Sequence, residues 1–577
     1  MQLIKRLMLI VVITIIFSNF NFPFKSSQEN IITTSSSNKY VSYNGKLSVQ
    51  DSKLVNQYGE DIQLRGFSTQ NGDVKGFDFS KYSNSKSIKS MKQNGANVLR
   101  LLFLPRHYIE NSKIINQIYS IIDECIKQDM YIIIDWHTIK EGDPNKYKTE
   151  AEEFFNLISN RYKDIPNIIY EICNEPNSQS AGYTVTWDMI RNYANDVINV
   201  IRSNSSDSII IVGTPDYSHQ IVQIVGKTLP YENLMYALHM YPSSNFPIID
   251  QLLIARKNNI PIFISEWGSM TNNLVDKTMA NYFVKIFEYY NLSWAYFELG
   301  DDQNVTTASV VNQGMWNNTL DDNILSNSGK YIKSILNNGI TEETGYGMLK
   351  YTQNYAFWQE QYRNNITKIE FKDTINDNQT NDSIISWDLS YIEGSKQVIA
   401  YLTNDNEPRK YKLTIASNGG IIAPRNSDKL FSDFENLEEI DFGTFNTNYV
   451  NSLNSFFADS PKLKIIDMSK TSFSKISNAN NMFQNQKNQL DIVVKDSTEK
   501  QFIEEKAKEA TIEVNVTIKK DNTVNQNNSN SQNNESSEVV SVPSTSLYGS
   551  IMIIILGIIC IIVSIVVTRK LTRSNSK

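Results

Sequence analysis

Glu175 and Glu266 each close a short apolar run. The first ends Ile168-Ile-Tyr-Glu-Ile-Cys-Asn-Glu175 and is followed by Pro176; the second ends Pro261-Ile-Phe-Ile-Ser-Glu266. Burying an unpaired carboxylate costs several kcal/mol. A glutamate at the C-terminal tip of an apolar strand therefore belongs to a mouth or cleft rather than to a core. Two such tips predict a carboxylate pair converging at one end of a barrel. Glycoside hydrolysis needs such a pair. One carboxyl gives a proton to the leaving oxygen, and the other attacks the anomeric carbon or activates water. Sequence alone leaves retention or inversion open, because it does not give the carboxylate separation.

Other strand ends carry residues that handle protons and hydroxyls. Arg100 follows the start of an apolar run closely, Asp135-Trp-His137 ends another, Asn174 precedes Glu175, and His239 and Tyr241 end a further one. The chain has only four histidines, and two fall at these tips. Arg100 and Tyr241 are donors suited to holding one carboxylate charged, and Asn174 suits a sugar hydroxyl. His137 and His239 can order the network as donors or acceptors.

The elements that must position them form an alternating series. Strands are expected at 63–67, 98–102, 131–135, 168–171, 209–212, 235–239, 262–265 and 293–297. Amphipathic helical stretches such as 87–94, 114–128, 151–162 and 187–203 lie between them. Alternating strand and helix implies a parallel sheet. Eight units within residues 41–338 predict an α/β fold, a closed (β/α)8 TIM barrel whose active site lies at the C-terminal strand ends. A doubly wound open sheet is the alternative, but no Gly-rich phosphate loop follows the first strand.

The 577 residues exceed one domain, and 40% hydrophobic residues suffice for a large core. A net charge of -7 with no basic domain gives no footprint for nucleic acid. Cys125, Cys173 and Cys560 have no metal-type spacing, and neither metal nor cofactor is expected. Residues 1–26 read as a signal peptide, with Lys5 and Arg6 before an apolar run. Residues 547–568 are long and apolar enough for a transmembrane helix, and the tail at 569–577 carries Arg569, Lys570 and Arg573. The chain is thus expected to be secreted and anchored at the cell surface, with its catalytic domain extracellular.

A second region, 352–497, contains a repeat. Phe431, Phe457 and Phe483 recur every 26 residues, as do the pairs Leu437/Leu463, Ile440/Ile466 and Asp441/Asp467. The third copy drifts and slips by one before Leu490. A fixed period predicts stacked, solenoid-like units that share one core. The Asn/Ser-rich stretch 521–546 is expected to be a linker.

The barrel motifs resemble glycoside hydrolase family 5, the cellulase-type clan. The resemblance runs from Gly45-Lys-Leu-Ser-Val49 and Gln63-Leu-Arg-Gly66 through Gly95-Ala-Asn-Val-Leu-Arg100, Tyr131-Ile-Ile-Ile-Asp-Trp-His137 and Gly142-Asp-Pro-Asn145. It continues through Ile169-Tyr-Glu-Ile-Cys-Asn-Glu-Pro176, Ala237-Leu-His-Met-Tyr241 and Phe263-Ile-Ser-Glu-Trp-Gly268. It implies a retaining mechanism on β-1,4-linked glucan or a related β-linked polysaccharide, with Glu175 as acid/base and Glu266 as nucleophile. Departures lie in the sugar-holding walls. Gln70 stands where the family has a histidine, Leu104 replaces a tyrosine, and Phe297 replaces a tryptophan. Tyr217 stands in for another platform tryptophan, and Asp302 for a cation. Lost aromatic platforms weaken or re-aim sugar binding. A barrel with weakened catalysis, acting as a surface adhesin or glycan-binding protein, is therefore the second expectation. The 26-residue copies resemble leucine-rich-like repeats of bacterial surface proteins, which implies a host or surface ligand. Val542-Pro-Ser-Thr-Ser546 resembles a sortase signal, with deviations at its first and last positions.

Overall fold

The computed structural model describes residues 40–70, 78–302, 308–340, 346–352 and 355–519. The signal segment, the linker, the span and the basic tail expected from sequence lie outside these residues. No helix among the described residues is long and apolar enough to cross a membrane.

Eight parallel strands close into a barrel: β1 (Arg65–Thr69), β2 (Val98–Phe103), β3 (Tyr131–Trp136), β4 (Ile168–Glu171), β5 (Ile210–Val212), β6 (Leu234–Met240), β7 (Ile262–Trp267) and β8 (Trp294–Leu299). Every expected strand is present, with ends moved by one or two residues. β1 begins at Arg65 rather than Gln63 for a local reason. The Gln63 side-chain amide donates to the Leu292 carbonyl at 2.8 Å, and Leu64 N–H donates to Ser293 Oγ at 2.9 Å. Side-chain bonds thus replace the ladder at that end.

Helices α1 (Ser85–Gln93), α2 (Ile115–Lys127), α3 (Lys148–Arg161), α4 (Trp187–Asn204), α5 (Asn245–Lys257), α6 (Lys277–Tyr289) and α7 (Asn327–Asn338) surround the strands. Both strand faces are covered, which is why the strands read as continuous apolar runs. The period of two still operates inside them. Leu99, Leu101, Ile132, Ile134 and Tyr170 pack outward with the helices. Val98, Tyr131, Ile133, Ile169, Met235, Ala237 and Phe263 form a separate inner cluster with Leu47, Leu54 and Ile62, which lie in and around the hairpin at 48–55. The inner line turns polar toward the C-terminal ends: Val98 gives way to Arg100, Ile133 to Asp135, Ile169 to Glu171, and Ala237 to His239. One end of the barrel is plugged with hydrocarbon and the other with ionisable groups.

A second sheet follows, in the order β10-β11-β12-β9-β13-β14-β15-β16. Its strands are β9 (Ile366–Lys372), β10 (Ile385–Asp388), β11 (Ile399–Asn404), β12 (Tyr411–Ala416), β13 (Glu439–Asp441), β14 (Ile465–Met468), β15 (Leu490–Val494) and β16 (Val514–Ile518), with α8 (Ser497–Glu509) before the last. Positions 26 apart lie side by side. Ile440 pairs with Ile466, and Ile466 with Ile492, all parallel. The drift ahead of Leu490 does not reach this ladder. Phe431 stacks on Phe457 at 6.1 Å between ring centroids, and Phe457 on Phe483 at 5.5 Å. The sheet continues past residue 497 to Ile518.

Barrel and second sheet belong to one compact unit. Met348, Ile392 and Ile422 are fully buried in the same apolar cluster as the barrel helices. Tyr449 donates to Asp276 at 2.6 Å, and the Tyr391 hydroxyl donates to Asp250 on α5.

Candidate active site

Arg100 is the third residue of β2, inside the strand rather than after it, and its side chain is completely buried. Its Nε and Nη2 grip Glu171 at 2.7 and 3.2 Å, and Nη2 also reaches Asp135 at 2.9 Å and Asn174 Oδ1 at 2.5 Å. Nη1 donates to Glu266 at 3.2 Å and Ser68 Oγ at 3.1 Å. A planar five-donor fork suits several acceptors arranged around it. Burial works against its charge, but the fields of Asp135, Glu171 and Glu266 outweigh that and raise its pKa.

Hydrogen bonds settle the tautomer of His137. Asn174 gives Oδ1 to Arg100, so its Nδ2 faces His137 Nε2 at 3.4 Å as a donor. The imidazole proton then sits on Nδ1 and donates to Asp135 at 2.6 Å. Burial, reinforced by Arg100, pulls His137 down to about 4, so the ring is neutral near pH 7. Burial pushes Asp135 up to about 7 against the pull of Arg100.

The two glutamates sit in unlike surroundings. Glu175 is nearly buried, and its Oε1 meets His239 Nδ1 at 2.8 Å, while His239 Nε2 meets Ser265 Oγ at 3.2 Å. Burial also pulls His239 down to about 4. Burial pushes Glu175 up to about 7, opposed by His137 and Arg100. His239 thus occupies one oxygen of Glu175 and leaves the other for a proton. Glu266 accepts on both oxygens, from Tyr241 at 2.5 Å and from Arg100. Burial and Glu266 raise the Tyr241 hydroxyl far above its ordinary pKa, so it remains a donor. Tyr241 can lie there because residue 268 is glycine: a Cβ would fall 2.8 Å from the tyrosine ring.

Donor atoms of Glu175, His239 and Glu266 all lie within 4.8 Å of one another. That spacing could suit a metal. However, His239 is bonded through both nitrogens and Glu266 through both oxygens, so the protein already satisfies most of these donors.

The remaining expected residues form the walls. Phe297 is half-buried as the fourth residue of β8. Tyr217 lies in a left-handed turn after β5, with its hydroxyl on Gln179 at 2.7 Å. Gln70 is buried, with its side-chain oxygen 2.5 Å from the Tyr82 hydroxyl. Tyr82 donates its proton to Asp301, which pairs with Lys81 at 2.7 Å. Burial opposes ionisation of Asp301, but Lys81, Tyr82 and the Trp316 N–H outweigh it and lower its pKa. Trp316 packs 5.3 Å from Tyr82 and donates its indole N–H to the Lys81 carbonyl at 2.7 Å. This partly exposed tryptophan stands at the β1–β8 seam.

Sequence reasoning passed over Glu171, Ser68, Ser265, Tyr82 and Trp316. For Glu171 and Ser265 a signal existed. Each lies two positions from an inner-facing apolar residue, so the strand period alone points them inward.

Residues 55–303 match the Cellulase family, glycosyl hydrolase family 5. Endoglucanase A of Butyrivibrio fibrisolvens is 35% identical over 275 residues, 45% of this chain and 62% of that protein. The chain thus spans less than two thirds of that relative's length. Endoglucanase N of Pectobacterium atrosepticum is 31% identical over 59% of this chain and 73% of its own. The catalytic domain of Thermobifida fusca endoglucanase Cel5A superposes with a TM-score of 0.47 at 29% identity, covering 51% of this chain and 98% of that one. A likeness of this extent to Endoglucanase N, together with the family match across the barrel, places the chain in glycosyl hydrolase family 5.

Proposed function

We propose that the chain is a retaining endo-acting glycosidase that cleaves β-1,4-linked glucan or a closely related β-glycan. The observation that carries this reading is the contrast between two neighbouring carboxyls. Glu175 is pushed up to about 7 by burial and holds one free oxygen. Glu266, within 4.8 Å of it, takes two donors and offers a carboxylate. Glu175 serves as acid, protonating the leaving oxygen while Glu266 attacks the anomeric carbon. It then serves as base, activating the water that releases the glycosyl group. Retaining enzymes hold their carboxyls about 5–5.5 Å apart, and inverting ones about 6.5–9.5 Å; the short spacing here favours retention. The names of the endoglucanase relatives support the choice of substrate. Trp316 beside Tyr82 offers an aromatic surface at the β1–β8 seam for a sugar ring.

The apolar segments at 1–26 and 547–568 support placing the enzyme at the cell surface. The 26-residue copies support a surface-repeat role for the second sheet. Glu175→Gln should abolish turnover of β-1,4-glucan while leaving the fold intact, and the first-formed product of the wild-type chain should carry the β anomer by proton NMR. Unchanged hydrolysis in the variant overturns the assignment. Glycan binding by a wild-type chain with no turnover would instead favour the adhesin reading.

A further inference from the structure

A cavity of about 310 Å³ lies at the loop end of the barrel, where the segment after the short strand Ile421–Ile422 meets it. Its barrel walls include Asp216, His219 and Gln220 from the loop after β5, and Ser244 and Gln251 from the loop after β6 and α5; Arg425 closes it from the other side. That volume is at the low end for small-ligand sites.

Both barrel walls are tied to the catalytic glutamates. Ser218 Oγ donates to the Asn174 carbonyl at 2.6 Å, and Tyr217 N–H donates to the Pro176 carbonyl at 3.1 Å. The β5 loop is thereby bound to the turn that carries Glu175. Ser244 N–H donates to the carbonyl of Tyr241 at 2.9 Å, and Tyr241 holds Glu266.

Arg425 is rigidly carried and chemically unspent. It lies three residues after Ile422, which is fully buried in the barrel cluster. Its carbonyl accepts from Asn451 N–H at 2.8 Å, and Asn426 forms an isolated parallel bridge with Ser452. Its guanidinium is exposed, and no hydrogen bond or ion pair holds it among the described residues. Its nearby charge acts on Asp250, which already accepts from Tyr391. The cavity therefore combines an unspent fork of donors with a carboxylate, two amides and a hydroxyl. Vicinal sugar hydroxyls need that mixture of donors and acceptors.

We propose that this cavity is a sugar-binding subsite shared between the barrel loops and the segment after the short strand Ile421–Ile422, in which Arg425 holds one pyranose unit of the glycan beyond the scissile bond. That segment would then complete the substrate cleft. The proposal rests on the reading of Glu175 and Glu266 as a glycosidase pair.

The test uses the full chain with cellohexaose and an aryl β-cellobioside. Arg425→Ala should lower kcat/KM on cellohexaose by about tenfold, mainly through KM, as loss of a charge-assisted hydrogen bond would. The aryl cellobioside, which lacks the additional sugar units that the subsite would hold, should react unchanged. Gln220→Ala should show the same split from the barrel side. Equal rates on both substrates, or an equal loss on both, overturn the proposal. Calorimetric titration of cellohexaose onto Glu175→Gln, with and without Arg425→Ala, separates the two readings. Binding weakened by Arg425→Ala, from a wild-type chain that turns nothing over, removes the glycosidase reading and keeps the subsite. Binding that is absent or indifferent to Arg425 removes the subsite.

Discussion

The barrel mouth and the ladder of the second sheet are both built from parallel strands, but their side chains follow different logics. Along the inner lines of β2, β3, β4 and β6, each apolar residue gives way two positions later to Arg100, Asp135, Glu171 or His239. No residue there can replace another, because each partner is specific. Across β13, β14 and β15 the opposite holds. Ile440, Ile466 and Ile492 repeat one residue at one position, and Phe431, Phe457 and Phe483 stack as copies. Hydrocarbon stacking is non-directional and tolerates repetition. A buried ion network is directional and fails when one member is lost. The mouth is therefore specialised for chemistry and the ladder for rigidity.

Removing the hub of the mouth should have the largest effect. Arg100→Met leaves Asp135, Glu171 and Glu266 without their shared cation. Breaking a buried pair in this way costs about 3–5 kcal/mol, and turnover should collapse because Glu266 loses a donor. Denaturant unfolding and glucan hydrolysis check both. Full stability in this variant would show that the mouth is no tighter than an ordinary surface.

Phe457→Ala opens the centre of the stack. A loss of about 3–5 kcal/mol is expected for such a truncation. Turnover of the aryl cellobioside per folded molecule should be unchanged, because no catalytic group touches this ring. A matching loss of that activity would erase the distinction between the two regions.

The smallest effect is graded by pH. On the proposed mechanism Glu175 must be protonated to act as acid, and burial raises it to about 7. As pH rises through 7 the protonated fraction falls, so kcat/KM should drop about tenfold per pH unit above that point. Phe457→Ala should leave this limb in place. A limb near 4.5 would show that burial does not set the acidity of Glu175.

Much of the barrel was legible in the linear chain. Strand–helix alternation, apolar runs and polar tips placed all eight strands within two residues. Glu175, Glu266, His137, Asn174, His239 and Tyr241 were found because they follow apolar runs. Glu171 was hidden by the same reasoning. It closes β4 but is followed by more apolar residues before Glu175, so it reads as part of the run that leads to Glu175, and its partner Arg100 comes from a strand 71 positions away. Tyr82 and Trp316 were hidden too, because their contact joins loops that no local pattern relates.

The sequence by itself determined the period of each region: two within the barrel strands, 26 along the ladder, and a glutamate at the end of two strands. Those are covalent spacings, and backbone geometry converts them directly into faces and registers. Only the tertiary structure decided which oxygen of Glu175 is free, which tautomer His137 adopts, and that Arg425 faces Asp216 and Gln220. Such properties depend on burial and on partners brought together through space. Coulombic and hydrogen-bond energies vary over ångströms, which sequence separation does not measure.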